Sequence, residues 1–173
     1  MNKVLSGGIS IVRAGLAYAF SVAPAASSEA APATVKEIKW YSWEEAVEAN
    51  KQAPKKLFVD VYTDWCGWCK KMDKSTFVDP EVATYLSENF YPVKLNAEQK
   101  ENIEFDGTTF KYVEAGRRGV HELAYALLDG RLGYPAFVYL DEEMKRMTIS
   151  PGYKTPDVIM KDLRYIGGDH YKG

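Results

Sequence analysis

The chain has 173 residues, 46% of them apolar and 27% charged, a balance that supports one buried core of ordinary domain size and excludes a disordered or membrane-built protein. Lys and Arg total 22 against 24 Asp and Glu, and the formal net charge of -2 excludes the strong basic field by which nucleic acid or an anionic lipid surface is gathered. The two cysteines, Cys66 and Cys69, exclude a disulfide scaffold, which has to tie distant segments together.

Residues 1–33 read as a signal peptide or a disordered leader. Lys3 and Arg13 supply positive charge, Gly15 to Val22 is a short apolar run, and Ala31-Pro32-Ala33 is a small-residue tail of the kind cleaved on export. The run is shorter than the roughly 20 residues of a membrane-spanning helix, so no stable membrane insertion is expected and residues 34–173 are taken as the folded domain. Ser42 and Glu45 fit a capping box that opens a helix over Trp43 to Gln52, which Pro54 stops. Lys56 to Thr63 is apolar and β-branched without a helical stripe, a strand buried on both faces, and Asp60 in its middle is out of character. Past Cys69 the pattern is helical through Phe77. Asp79-Pro80 starts a further helix whose Val82, Tyr85 and Leu86 point inward.

Phe90 to Asn96 is the next strand, and Asn102 to Val113 alternates around Asp106-Gly107, a two-residue hairpin turn. Gly116 to Asp129 carries Val120, Leu123, Ala124, Leu127 and Leu128 at helical spacing, with Gly130 placed to end the helix. Pro135 to Asp141 and Arg146 to Ser150 are strands, and Thr155-Pro156 opens a last helix with Val158, Ile159, Leu163 and Ile166 as its stripe. This order gives an α/β sandwich, a mixed sheet flanked by helices with an inserted hairpin and helix before the proline-led strand.

Cys66-Gly67-Trp68-Cys69 sits where a buried strand passes into a helix. A cysteine there meets unpaired backbone N–H groups and the positive end of the helix dipole, which favour the thiolate. Cys66 is thus the expected nucleophile and Cys69, one turn later, the thiol that resolves a mixed disulfide. A bridge between them closes too small a loop to staple a fold. Half of a zinc site is the other use of such a pair, but only His121 and His170 remain as partners, far apart in sequence; no metal is expected. Asp60, flanked by Val59 and Val61, is a costly place for a charge, so its basicity rises and it can take the Cys69 proton; an exposed strand end or a plain hydrogen-bonding role is the other reading. Lys94 on the neighbouring strand is placed to approach Asp60, and a plain surface lysine is the other reading.

Val59-Asp60, Trp65-Cys66-Gly67-Trp68-Cys69-Lys70, Val93-Lys94-Leu95-Asn96 and Gly133-Tyr134-Pro135, in this order, resemble the thioredoxin superfamily. Leu57 to Pro80 more closely resembles the C-terminal domain of the bacterial transmembrane thiol:disulfide interchange reductase and its exported stand-alone relatives. The likeness covers about Trp40 to Ile166. It implies a thioredoxin-like three-layer sandwich, a cis Pro135, backbone pairing of Tyr134 with a substrate strand, Asp60 and Lys94 as buried acid and pKa-tuning partner, and Trp65, Gly67 and Trp68 against the substrate. Its Gly-Trp dipeptide departs from thioredoxin's Gly-Pro, and the segment 98–132 is longer.

The implied activity is reduction of protein disulfides in the periplasm by a monomer whose only redox group is the cysteine pair. Another redox protein restores the dithiol, a membrane reductase among the candidates. Disulfide oxidation or isomerisation is the nearest alternative, and a non-catalytic partner-binding module is the alternative of another class.

Overall fold

The computed structural model describes residues 37–170, and the leader expected over 1–33 lies outside them. Helix α1 (Trp43–Gln52) opens on the complete capping box, Ser42 accepting from the Glu45 amide and Glu45 from the Ser42 amide. Strand β1 (Lys56–Tyr62) follows, then α2 (Gly67–Lys74), α3 (Pro80–Asn89) and β2 (Phe90–Asn96). Strands β3 (Ile103–Phe105) and β4 (Thr108–Phe110) form the hairpin, Asp106 and Gly107 both taking the positive φ that a tight turn demands. The chain continues through β5 (Tyr112–Val113), β6 (Val120–His121), α4 (Glu122–Leu127), β7 (Ala136–Leu140), β8 (Arg146–Pro151) and α5 (Pro156–Gly167).

The main sheet has the order β2-β1-β7-β8, with β1 parallel to β2 and antiparallel to β7, and β7 antiparallel to β8. It is the expected mixed sheet. Side chains alternate across it. Leu57, Val59, Val61, Val93, Leu95, Ala136 and Val138 enter one core with Trp43 and Ala46 of α1 and Leu123, Ala124 and Leu127 of α4. Phe58, Phe137 and Tyr139 enter the other with Met72 of α2, Val82 and Leu86 of α3, and Ile159, Leu163 and Ile166 of α5. Each fully buried Val, Leu, Ile, Phe or Met among them contributes roughly 1.5–3 kcal/mol. The inserted segment therefore supplies part of the first core through Ile103 and α4.

Three expectations are corrected. Helix α2 ends at Lys74 rather than running to Phe77: the amides of Ser75 and Phe77 both turn back to the Met72 carbonyl, at 3.2 and 3.0 Å, while the Thr76 hydroxyl donates to Lys154 O at 2.7 Å. Helix α4 is shorter than the 116–129 stretch, because Val120 and His121 pair with Val113 and Tyr112 and the His121 amide donates to Ala97 O at 2.7 Å. Those contacts keep the backbone extended until Glu122. On α5, Val158 is exposed and Met160 is buried in its place beside Ile159, the neighbour one helical step round.

Candidate active site

β1 runs out through Thr63, Asp64 and Trp65 into a tight turn, the Cys66 amide donating to Thr63 O at 3.0 Å. Cys66 then caps α2: its backbone is extended, its Sγ accepts from the Cys69 amide at 3.1 Å and its carbonyl accepts from Lys70 N at 3.2 Å. One helical turn brings Cys69 back beside it, and the two form a disulfide with Cα atoms 5.3 Å apart. The pair is enclosed, 4% and 3% exposed, while Trp65 and Trp68 beside it are 53% and 56% exposed. No acid stands in the first turn of α2, so the amides and dipole at its start face the sulfur without a competing carboxylate.

The end of β1 lies beside the start of β7, with Val61 opposite Ala136. That register brings the cis Tyr134–Pro135 peptide to the same end of the sheet as Cys66, and the Trp65 and Tyr134 rings meet edge to face with centroids 6.0 Å apart. A shallow hollow of about 510 Å³, lined in part by Leu132, Gly133, Tyr134 and Pro135, opens beside the cis bond. At Gly67, between the two cysteines, an added Cβ would meet nothing within 4 Å, so the surface at that residue is open.

Period-two alternation sends Asp60, like Phe58, toward the face covered by α2. Parallel register sets Lys94 opposite Asp60, and Lys94 Nζ donates to Asp60 Oδ2 at 2.6 Å. The other carboxylate oxygen of Asp60 is buried without a hydrogen-bond partner. Burial pushes the Asp60 carboxyl up to about 6, against the pull of Lys94 in the other direction. The sequence reading missed Asp73, which stands one turn beyond Cys69 on α2 and accepts from Lys94 Nζ at 2.5 Å. Burial pulls the Lys94 ammonium down, but Asp60 and Asp73 together outweigh it and hold the group above its ordinary value. The i, i+4 spacing of Cys69 and Asp73 was the available signal, since it puts both on one helical face.

Trp65 Nε1–H donates to Glu98 Oε1 at 3.0 Å, and Arg118 Cζ stands 4.3 Å from the centre of the same indole. The inserted segment thus reaches the disulfide's flank at two points. On the other indole, Trp68, Tyr153 packs with centroids 5.1 Å apart. Nothing in the sequence joined these residues, which come from α2 and from loops far apart in the chain. Of the two histidines weighed as zinc partners, His121 is fully enclosed between the Glu101 carbonyl and the Leu123 amide.

The chain matches the family Thioredox_DsbH, described as a protein of unknown function, DUF255, over residues 25–156. It is 40% identical over 105 residues to the thiol:disulfide interchange protein DsbD of Colwellia psychrerythraea, an alignment covering 61% of this chain and 14% of that protein. It is 31% identical over 74 residues to spermatogenesis-associated protein 20 of Homo sapiens, covering 42% of this chain and 9% of that protein. The aligned part is therefore a small fraction of the length of either relative. Among solved structures, a DsbH oxidoreductase superposes with a TM-score of 0.58 at 18% identity, covering 84% of this chain and 95% of the other. A thioredoxin from Thermus thermophilus superposes with a TM-score of 0.56 at 20% identity, covering 75% and 87%. The fold is the thioredoxin fold.

Proposed function

The chain belongs to the Thioredox_DsbH family, and from that premise we propose that it is a thiol:disulfide oxidoreductase that reduces protein disulfides in the periplasm. The observation that carries the reading is the enclosed Cys66–Cys69 disulfide at a helix start that holds no acid in its first turn. The 40% identity to a protein named for thiol:disulfide interchange supports it. The leader-like residues 1–33 support export, and among the described residues no helix is long and apolar enough to cross a membrane.

In the dithiol form, the Cys66 thiolate attacks one sulfur of a client disulfide. The client S–S bond breaks, one client sulfur leaves as thiolate and takes up a proton, and Cys66 is joined to the other. Asp60, with one oxygen unpartnered and its carboxyl near 6, takes the Cys69 proton. The Cys69 thiolate then attacks Cys66 Sγ and releases the second client sulfur. Two electrons have passed to the client and the chain is left with the Cys66–Cys69 disulfide, the form seen in the structure. The two thiols carry those electrons without a metal or organic cofactor, and a partner dithiol protein restores them. Tyr134 offers its backbone to the client beside the cis bond, with Trp65, Gly67 and Trp68 bordering the same opening.

The test is insulin reduction with dithiothreitol as donor, together with the equilibrium reduction potential of the pair. Wild type should accelerate reduction, Cys66→Ser should not, and Cys69→Ser should hold clients as mixed disulfides. Equal rates for wild type and Cys66→Ser would leave only a binding module. A potential well above that of the compartment would make the chain an oxidant, since about 30 mV corresponds to about 1.4 kcal/mol for this two-electron couple.

A further inference from the structure

Each exposed indole at the disulfide carries a cation. Arg118 stands over Trp65 at 4.3 Å, and Lys71 Nζ lies 5.0 Å from the centre of Trp68 and 5.1 Å from that of Tyr153. The ring quadrupole holds a positive group on its face, so both charges are kept at the indoles. The Arg118 turn is fixed from beneath. Gly119 is so close to β5 that an added Cβ would clash with Val113 O and the Tyr112 ring. Its amide donates to the Tyr112 hydroxyl at 2.7 Å, and the Arg118 amide donates to Ala115 O at 3.3 Å.

A guanidinium held over a ring still has N–H donors to offer a carboxylate. Two acids of the site are engaged elsewhere: Glu98 accepts the Trp65 indole N–H, and Asp64 accepts from the Asn96 side-chain amide at 3.2 Å. Among the described residues neither Arg118 nor Lys71 forms an ion pair with an acid of the chain. The formal net charge of -2 would by itself disfavour an acidic client, so any attraction has to come from local groups such as these two.

We propose that Arg118 on Trp65 and Lys71 on Trp68 form two cationic brackets that select protein disulfides whose cysteine is flanked by Asp or Glu. This rests on the reading of Cys66 as the attacking thiol. Carboxylates beside a disulfide repel both the incoming thiolate and the departing one, so acidic disulfides are the slowest substrates for a free thiol. The brackets reverse that order by pairing the carboxylates before sulfur meets sulfur, which is a gain in encounter rate and orientation.

The test uses the full chain in its dithiol form and three peptide disulfides that differ only in Glu, Gln or Lys on each side of one cysteine. Second-order rates are measured by stopped flow and divided by the rates of dithiothreitol with the same peptides. At low ionic strength the Glu peptide should exceed the Lys peptide by about tenfold, at roughly a factor of two for each attraction gained or repulsion removed. In wild type that ratio should shrink toward one above about 0.5 M salt, where screening acts over a few ångströms; this arm needs no variant. A chain with Arg118→Glu and Lys71→Glu should prefer the Lys peptide. A wild-type ratio near one at low salt, or a Glu preference that survives both substitutions, overturns the proposal while leaving the reductase reading intact if the Gln peptide is still reduced. Failure to reduce even the Gln peptide removes both.

Discussion

Helices α2 and α3 follow one another in the chain, pack on the same face of the sheet and are each capped by a side chain, yet they open differently. At α3, Asp79 accepts from the Glu81 and Val82 amides at 3.0 and 3.1 Å, proline fills the first position and Glu81 adds a second acid. At α2 the cap is a sulfur, the first position is glycine and no acid follows. The other described helices, α1, α4 and α5, all carry an acid in the first turn. An acid there stabilises a helix. The α2 terminus forgoes that gain, and its amides and dipole are left for a sulfur that changes charge.

The hardest test of this contrast is to disable each cap. Cys66→Ser keeps a side chain that can cap the helix and should reduce insulin no faster than the buffer control. Asp79→Ala should keep wild-type turnover and lose about 1 kcal/mol of stability, read as a lower urea midpoint. If Asp79→Ala lost activity in proportion to its stability, or Cys66→Ser stayed active, the two termini would not differ in the way described.

The second effect concerns the acid under α2, for which α3 has no counterpart. Asp60→Asn should slow resolution by about 10²-fold, the lower end of what a positioned base contributes, and the mixed disulfide should accumulate in quench experiments. Stability should move the other way. The folded carboxyl, near 6, lies above its ordinary 3.8, so the stability it lends is full below pH 3.8 and is lost as pH rises through 6. Wild type and variant should therefore unfold at similar urea near pH 3. At pH 8 the variant should be more stable by up to about 3 kcal/mol. Equal midpoints at pH 8 would mean that Lys94 fully compensates the buried charge.

Much of this contrast is legible in the sequence, because it is local. The Ser42–Glu45 capping box, Asp79-Pro80, the Asp106-Gly107 turn and the cysteine pair at a strand-to-helix junction are all short-range patterns, and each fixes its own backbone. Asp60 stood out as the wrong residue in an apolar strand, and Lys94 on the next strand was placed to approach it. What escaped depends on where distant loops meet. Asp73 is meaningful only once Lys94 lies between it and Asp60. Glu98 reaches Trp65 from the end of β2, and Arg118 reaches it from the turn between β5 and β6, paired strands two residues long and too short to leave a periodic signal. The same pairing took Val120 and His121 out of the expected helix.

That shortened helix provides a third cap, one that titrates. His121 Nδ1 accepts from the Leu123 amide at 3.3 Å while Nε2 faces the Glu101 carbonyl at 3.1 Å. Burial pulls its pKa below the ordinary 6.5, against Glu101, Glu122 and Glu44, which pull it up. Protonation removes the acceptor, so the stability tied to neutral His121 is present above 6.5 and is lost as pH falls below it. Amide exchange at Leu123, corrected for its intrinsic rate, should lose protection as pH falls below 6.5, by at most the roughly 1 kcal/mol that a cap contributes. His121→Asn, which caps without titrating, should show no such change.

The smallest effect bears most directly on why α2 lacks an acid. Position 67 can accept one: an added Cβ meets nothing within 4 Å, and it is the first residue of the helix. Gly67→Asp should therefore act as the acids of the other helices do and stabilise α2 by about 0.3–1 kcal/mol through the dipole. The same charge lies next to Cys66 and competes for the field that favours its thiolate. Reaction of the dithiol form with iodoacetamide, a neutral reagent that reports thiolate alone, should fall about three- to tenfold at pH 7, as expected for one added charge a few ångströms away in a partly solvated site. Raising the salt should recover part of the loss, while Gly67→Asn, of the same size without the charge, should stay near wild type. A Gly67→Asp chain that is more stable and as reactive as wild type would mean that the bare first turn of α2 has no bearing on the sulfur.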